Sequence, residues 1–239
     1  GDAVFSEAQW IYNTVGWYRS KVTIRWPEGT WPHSHGDEIH LPDKATAGWG
    51  HITVHHEEGH CVMWALYGHW PPGSGPSPHY VFSESSGGFA ICEGWAEFMQ
   101  CAVDNVVTNL QDWYGGHGGH IETNDWFNCI DTGDMDGGIV EGSVASIFWD
   151  ILDPASTADK DSMYWGFEEM FTVMRFDQPD SMDQFWTKWT TRWPTLSTSK
   201  GPLCTIYWHY GIDKDTYAPH EGSISIEGGA TYTKSTSVT

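Results

Sequence analysis

VHHEEGHCVMWALYG, residues 54–68, sets His56, Glu57 and His60 in an HExxH pattern. Residues four apart on an α-helix share one face, a single turn apart. Two imidazoles so placed can both reach one zinc ion at about 2.0–2.1 Å. Glu57 follows the first of them and leans over the open metal position. There a carboxylate can take a proton from a zinc-activated water and pass it to a leaving amine. The helix itself follows from the pattern: Ile52, Gly59, Val62 or Met63, and Leu66 keep one apolar face, and Gly68, Pro71 and Pro72 stop it. The spacing predicts a helix from about Trp49 to Tyr67. His51 and His55 have the same i, i+4 relation, but no glutamate follows His51, so they read as surface or supporting residues.

A catalytic zinc site needs three protein ligands and an open position. Position 66 is leucine, so no third histidine follows His60 at a distance of six, and no HxxGxxH extension is present. The next helical stretch, SESSGGFAICEGWAEFMQCAVDNV, puts Phe89, Cys92, Ala96, Met99, Val103 and Val106 on one side. It carries Glu93, a natural third ligand, and Glu97 one turn on, on the same face, where it can hydrogen-bond a ligand histidine from behind. Cys61 and Cys92 adjoin these ligands but point about 100° away on their helices, and read as small core residues.

HEEGH followed by EGWAEF resembles the gluzincin metallopeptidases, the thermolysin-like and aminopeptidase-like clan. The resemblance implies His56, His60 and Glu93 as zinc ligands, Glu57 as general base and Glu97 as a support for the ligands. It also implies a zincin-like α+β fold, with a twisted sheet and the HExxH helix above a mainly helical lower subdomain and the active cleft between. The edge strand that lines substrate in this clan corresponds best to DEIHLP, residues 37–42. The clan adds a tyrosine or histidine that stabilises the oxyanion, and TIYWHYGID, residues 205–213, offers Tyr207, His209 and Tyr210. No subfamily signature accompanies the match, so the peptide bond preferred and exo- versus endo-action stay open.

The order of elements agrees with an α+β layout. A helix is predicted over 3–18, with Val4, Ala8, Ile11, Val15 and Tyr18 on its apolar face. A β-branched strand follows in KVTIRWPEGT, and then DEIHLP. After the two helices with the candidate ligands, residues 112–138 read as loop, and IVEGSVASIFWDILD, FEEMFTVMRF and SMDQFWTKWTTRW as three further helices. Within the loop, Asp131, Asp134 and Asp136 lie close to glycines, a composition that suits calcium without matching an EF-hand. Glu141 opens the next helix, where the dipole favours a negative charge, with a cleft-facing role as the alternative. Asp150 reads as structural.

Net charge is −21, with 32 acidic residues against 11 basic, which disfavours nucleic acid and anionic membranes as partners. No apolar run is long enough to span a bilayer. The chain opens GDAVFSEAQW, without a signal-peptide pattern, which fits a mature or excised segment. Five cysteines without CxxC spacing argue against a cysteine zinc site and allow one or two disulfides. The tail GSISIEGGATYTKSTSVT alternates β-branched residues about a GG turn and resembles the first strands of Ig-like modules in large prokaryotic surface proteins.

The resulting expectation is a gluzincin-like domain over 1–220 and, over 221–239, a linker with the incomplete start of an Ig-like β-sandwich. The function expected is an extracellular, secreted or cell-surface zinc peptidase acting on peptide or protein substrates, within a larger multidomain protein. The rival is a non-catalytic adhesion or filament-forming surface protein on the same scaffold. A calcium-dependent binding domain built on the 131–136 loop is a third reading.

Overall fold

Helix α3 (His51–Tyr67) begins two residues after the predicted start and ends where Gly68 takes a left-handed conformation (φ 71°), its N–H bonding to the Trp64 carbonyl at 2.7 Å. A glycine adopts that backbone without the Cβ strain another residue would meet. The computed structural model describes residues 2–47, 49–111, 118–122, 137–153, 166–194, 200–212, 214, 224–225 and 231–232. Asp131, Asp134, Asp136 and Cys129 lie outside them.

The fold is α+β and mostly helical. Its three-stranded sheet has the order β1 (Thr23–Arg25), β3 (Glu38–His40), β2 (His33–His35). Strands β1 and β3 run parallel with Thr23 opposite Glu38, and β2 is antiparallel to β3 with His33 opposite His40. The DEIHLP strand is therefore central, and the expectation that it forms the edge is corrected: β1 and β2 are the edges. Gly29 (φ +80°) and Gly36 (φ +66°) turn the chain between β1 and β3, which leaves room for three residues to pair on the open side. Such a short segment carries no readable alternation. Ile39 and Leu41 of the sheet pack with Val54 and Cys61 of α3, so the sheet covers one side of the HExxH helix.

Helix α1 (Asp2–Val15) stops before Gly16, and Tyr18 lies exposed beyond it. Its inward side holds Ile11, as expected, and also the carboxylate of Glu7, fully buried. A short helix α2 (Lys44–Ala47) precedes α3.

Helix α4 (Gly87–Ala102) is the centre of the molecule, packed between α3 and α5 (Glu141–Leu152). Ser86 caps it by accepting from Phe89 N at 3.3 Å. Being covered on several sides, α4 buries nearly its whole surface, where the sequence pattern suggested a single apolar face. Both of its helix contacts are unusually close. A Cβ on Gly59 would stand 2.9 Å from Ala96 Cα, and one on Gly94 would stand 2.6 Å from Val144 Cβ and 2.7 Å from the Glu141 carbonyl.

Below lies an aromatic core. Trp95 meets Phe148 edge-on at 5.6 Å between centroids, and Phe148 meets Phe185 at 5.3 Å. Helices α6 (Phe167–Asp177) and α7 (Met182–Arg192) close it as predicted. Helix α8 (Lys200–His209) adds Leu203, Ile206 and Tyr207. Two further short ladders lie among the described residues: β4 (Leu110–Gln111) with β5 (Gly118–Gly119), and β6 (Ile224–Ser225) with β7 (Thr231–Tyr232).

Candidate metal centre

Helix α3 presents His56 and His60 one turn apart with their Nε2 atoms 3.2 Å from each other. From α4, Glu93 Oε2 comes within 3.4 Å of His56 Nε2 and 3.1 Å of His60 Nε2. Ligands at zinc bond lengths around a tetrahedral ion stand about 3.3 Å apart. The three atoms thus have the mutual spacing of one face of such a shell. Among the described residues this is the group of three metal-binding side chains whose ligand atoms all lie within 4.8 Å of one another.

The close seam at Gly59 explains how a carboxylate from a second helix arrives at this distance. A larger residue there would press on the α4 backbone at Ala96 and push Glu93 away from the histidines. Burial raises the Glu93 carboxyl, but His60 and His56 beside it hold it well below the usual carboxylate range. For His60 burial works the opposite way, and Glu93 with Cys92 raises the imidazole well above its ordinary value. The donor set suits zinc: two imidazoles and a carboxylate kept anionic.

Other predicted residues occupy informative places. Glu57 is buried and lines both adjoining cavities at the cluster, of about 390 and 370 Å³, together with His56. Glu97 is buried one turn beyond Glu93 and lines the larger cavity. Cys92 does more than fill space: its Sγ is 3.5 Å from His60 Nδ1, behind the ligand nitrogen. Cys61, Cys92 and Cys101 are free thiols.

The 205–213 candidates lie elsewhere. Tyr207 is fully buried and its hydroxyl donates to the Met182 carbonyl at 3.0 Å, while the Tyr210 hydroxyl donates to Asp150 at 3.0 Å. His209 is exposed. Among the described residues that line the two cavities, none comes from this segment. Asp150 has the structural place expected of it.

His79 takes the position that the sequence did not reveal. It lines both cavities beside His56 and Glu57, and its Nδ1 is 3.0 Å from Glu141 Oε2. Glu141 is fully buried at the first residue of α5 and lines the larger cavity, so it faces the cleft as well as the helix dipole. The segment carrying His79 is strapped to the start of α5: Gly142 N donates to the Val81 carbonyl at 2.8 Å, and Glu84 bridges Val140. Proline and glycine dominate residues 71–78, so periodicity was silent there. The one available signal was a histidine placed between the two ligand helices.

Two helical histidines, a carboxylate from the neighbouring helix and a further glutamate on the cavity wall mark a protein related to zinc metallopeptidases. The family model described as Mycolysin C-terminal domain matches residues 8–210, and the chain belongs to that family. No curated protein and no solved structure matches it significantly.

Proposed function

We propose that the chain is a zinc-dependent peptidase domain of gluzincin type, with a zincin-like arrangement of sheet, HExxH helix and helical lower part. The observation that carries this reading is the convergence of His56, His60 and Glu93 at 3.1–3.4 Å beside the Glu57-lined cavity. His56, His60 and Glu93 would hold the zinc ion, which would supply Lewis-acid chemistry toward a peptide carbonyl and a nucleophilic water. Glu57 takes the proton of the attacking water and delivers it to the leaving amine. Glu97 steadies a ligand histidine. His79, oriented by Glu141, replaces Tyr207, His209 and Tyr210 as the donor to the developing oxyanion. Its place on the wall shared by both cavities supports that role.

The family's metallopeptidase context supports a protein or peptide substrate. Mycolysin-type proteins are secreted, which supports an extracellular or cell-surface setting for this one. No helix among the described residues is long and apolar enough to cross a membrane. A gluzincin-like domain over 1–220 with, over 221–239, a linker and the incomplete first strands of an Ig-like β-sandwich is our reading of the organisation, and the family match spans residues 8–210. Calcium at Asp131, Asp134 and Asp136 remains a proposal drawn from composition.

The test pairs metal content with cleavage. Purified protein is expected to hold zinc at His56, His60 and Glu93 and to hydrolyse a peptide library. The His56→Ala variant should lose that zinc, and Glu57→Gln should keep it while losing hydrolysis. A zinc-loaded wild type that cleaves nothing would overturn the reading in favour of an adhesion or filament-forming role.

A further inference from the structure

The second histidine pair of α3 also meets a carboxylate. His51 Nε2 is 3.3 Å from Asp104 Oδ2, and His55 Nε2 is 3.7 Å from Asp104 Oδ1. Asp104 lies in the turn after α4, and Asn109 Nδ2 donates to its Oδ2 at 3.1 Å, which fixes the carboxylate. On the buried side His55 Nδ1 is 3.2 Å from Glu7 Oε2, a contact that sets the ring plane and leaves Nε2 directed at Asp104.

We propose that His51, His55 and Asp104 form a second site for a divalent transition metal, separate from the His56, His60 and Glu93 centre. Two imidazole nitrogens and a carboxylate match the ligand preference of zinc, cobalt, nickel or copper. A carboxylate behind a ligand histidine, as Glu7 stands behind His55, is the usual support for such a ligand. The contacts to Asp104, 3.3 Å at Oδ2 from His51 and 3.7 Å at Oδ1 from His55, place one histidine nitrogen at each carboxylate oxygen, so the carboxylate would bind an ion through both oxygens or turn to offer one. The third contact, between the two histidines, is open: their ring centroids are 6.2 Å apart. Closing it takes a rotation of His51, whose side chain is 65% exposed. Asp104 is 27% exposed, so an ion can enter from solvent. Occupancy would tie α1, α3 and the turn after α4 at one point.

The experiment strips the full chain with a chelator and titrates it with Co²⁺ and with Zn²⁺, following stoichiometry by calorimetry and the Co²⁺ absorption bands. Wild type is expected to take two equivalents, the weaker one lost in His51→Ala and weakened at least tenfold in Asp104→Asn. His56→Ala should lose the other equivalent and keep this one. If wild type takes a single equivalent that only His56→Ala removes, the contact is an ordinary surface ion pair and the proposal fails. If His51→Ala and Asp104→Asn both bind as wild type does, it fails as well. Loss of one equivalent in His51→Ala, with none lost in His56→Ala, would uphold this site and sink the catalytic reading. Because His51 is on the surface, its variant should keep the metal-free melting temperature, which separates lost binding from lost folding.

Discussion

Helix α3 carries two histidine pairs at the same spacing in unlike surroundings. His56 and His60 face α4 across a seam where α3 contributes only Gly59, so Glu93 sits within 3.4 Å of both. His51 and His55 sit five residues earlier, about 140° round the helix. Their carboxylate comes from a solvent-facing turn, and one ring is mostly exposed. Equal spacing therefore does not give equal sites. What separates them is how closely the element supplying the third group is packed, and how far water is excluded.

The strongest test of this contrast is Glu57→Gln. It should lower kcat by about 10²–10⁴ with zinc content unchanged, since general-base catalysis is worth that much. Retained activity would show that Glu57 is not the general base. Next comes His79→Ala, expected to cost about 10²–10³ in kcat, the range for one oxyanion donor, again with zinc retained. An unchanged kcat would leave the Glu141–His79 pair a structural strap.

Gly59→Ala tests the seam. The added methyl must displace the α4 backbone, so the variant should lose about 1–3 kcal/mol in chemical denaturation and bind zinc more weakly. Wild-type affinity would mean that the seam does not position Glu93.

The smallest effect is expected in the core behind the cleft. Tyr207→Phe removes a buried hydrogen bond worth about 1 kcal/mol and should leave kcat alone. Burial pushes the Tyr207 phenol well above its ordinary value near 10, so its stabilisation is complete below that pH. As pH rises past 10 this tyrosine ionises first in the unfolded chain, so wild type loses a contribution that the phenylalanine variant never had, beyond the alkaline weakening both share. The gap in stability should narrow and then reverse. A fall in kcat for this variant would return the oxyanion role to the 205–213 segment.

The parts of the site legible in the sequence were those set by local geometry. His56 and His60 follow from the helical repeat, and the EGWAEF stretch offered Glu93 on the next amphipathic helix. The order of the helices that bury Phe148, Phe167 and Phe185 was legible for the same reason. Contacts across long separations were not: His79 meets Glu141 over 62 residues, from a segment where proline and glycine erase any period. Strand β2 is three residues long, too short to show alternation, so the sequence does not reveal that DEIHLP has a strand on either side. Glu7 was hidden because an acidic residue on an apolar face reads as solvent-facing until the partner of His55 is seen. Helix α8 has a mixed sequence without a clear apolar period, and its Tyr207 packs in the core.

Gly94 repeats on the far side of α4 what Gly59 does on the near side, so this helix is gripped between two backbones with no methyl group to spare. A grip of that kind acts as a gauge for ionic radius. Cadmium and other ions larger than zinc need their donors further apart, and Glu93 can retreat only if both seams open together. Selectivity among divalent ions at the His56, His60 and Glu93 centre is therefore expected to fall with size more steeply than the donor atoms alone would dictate, and to soften when either glycine is replaced.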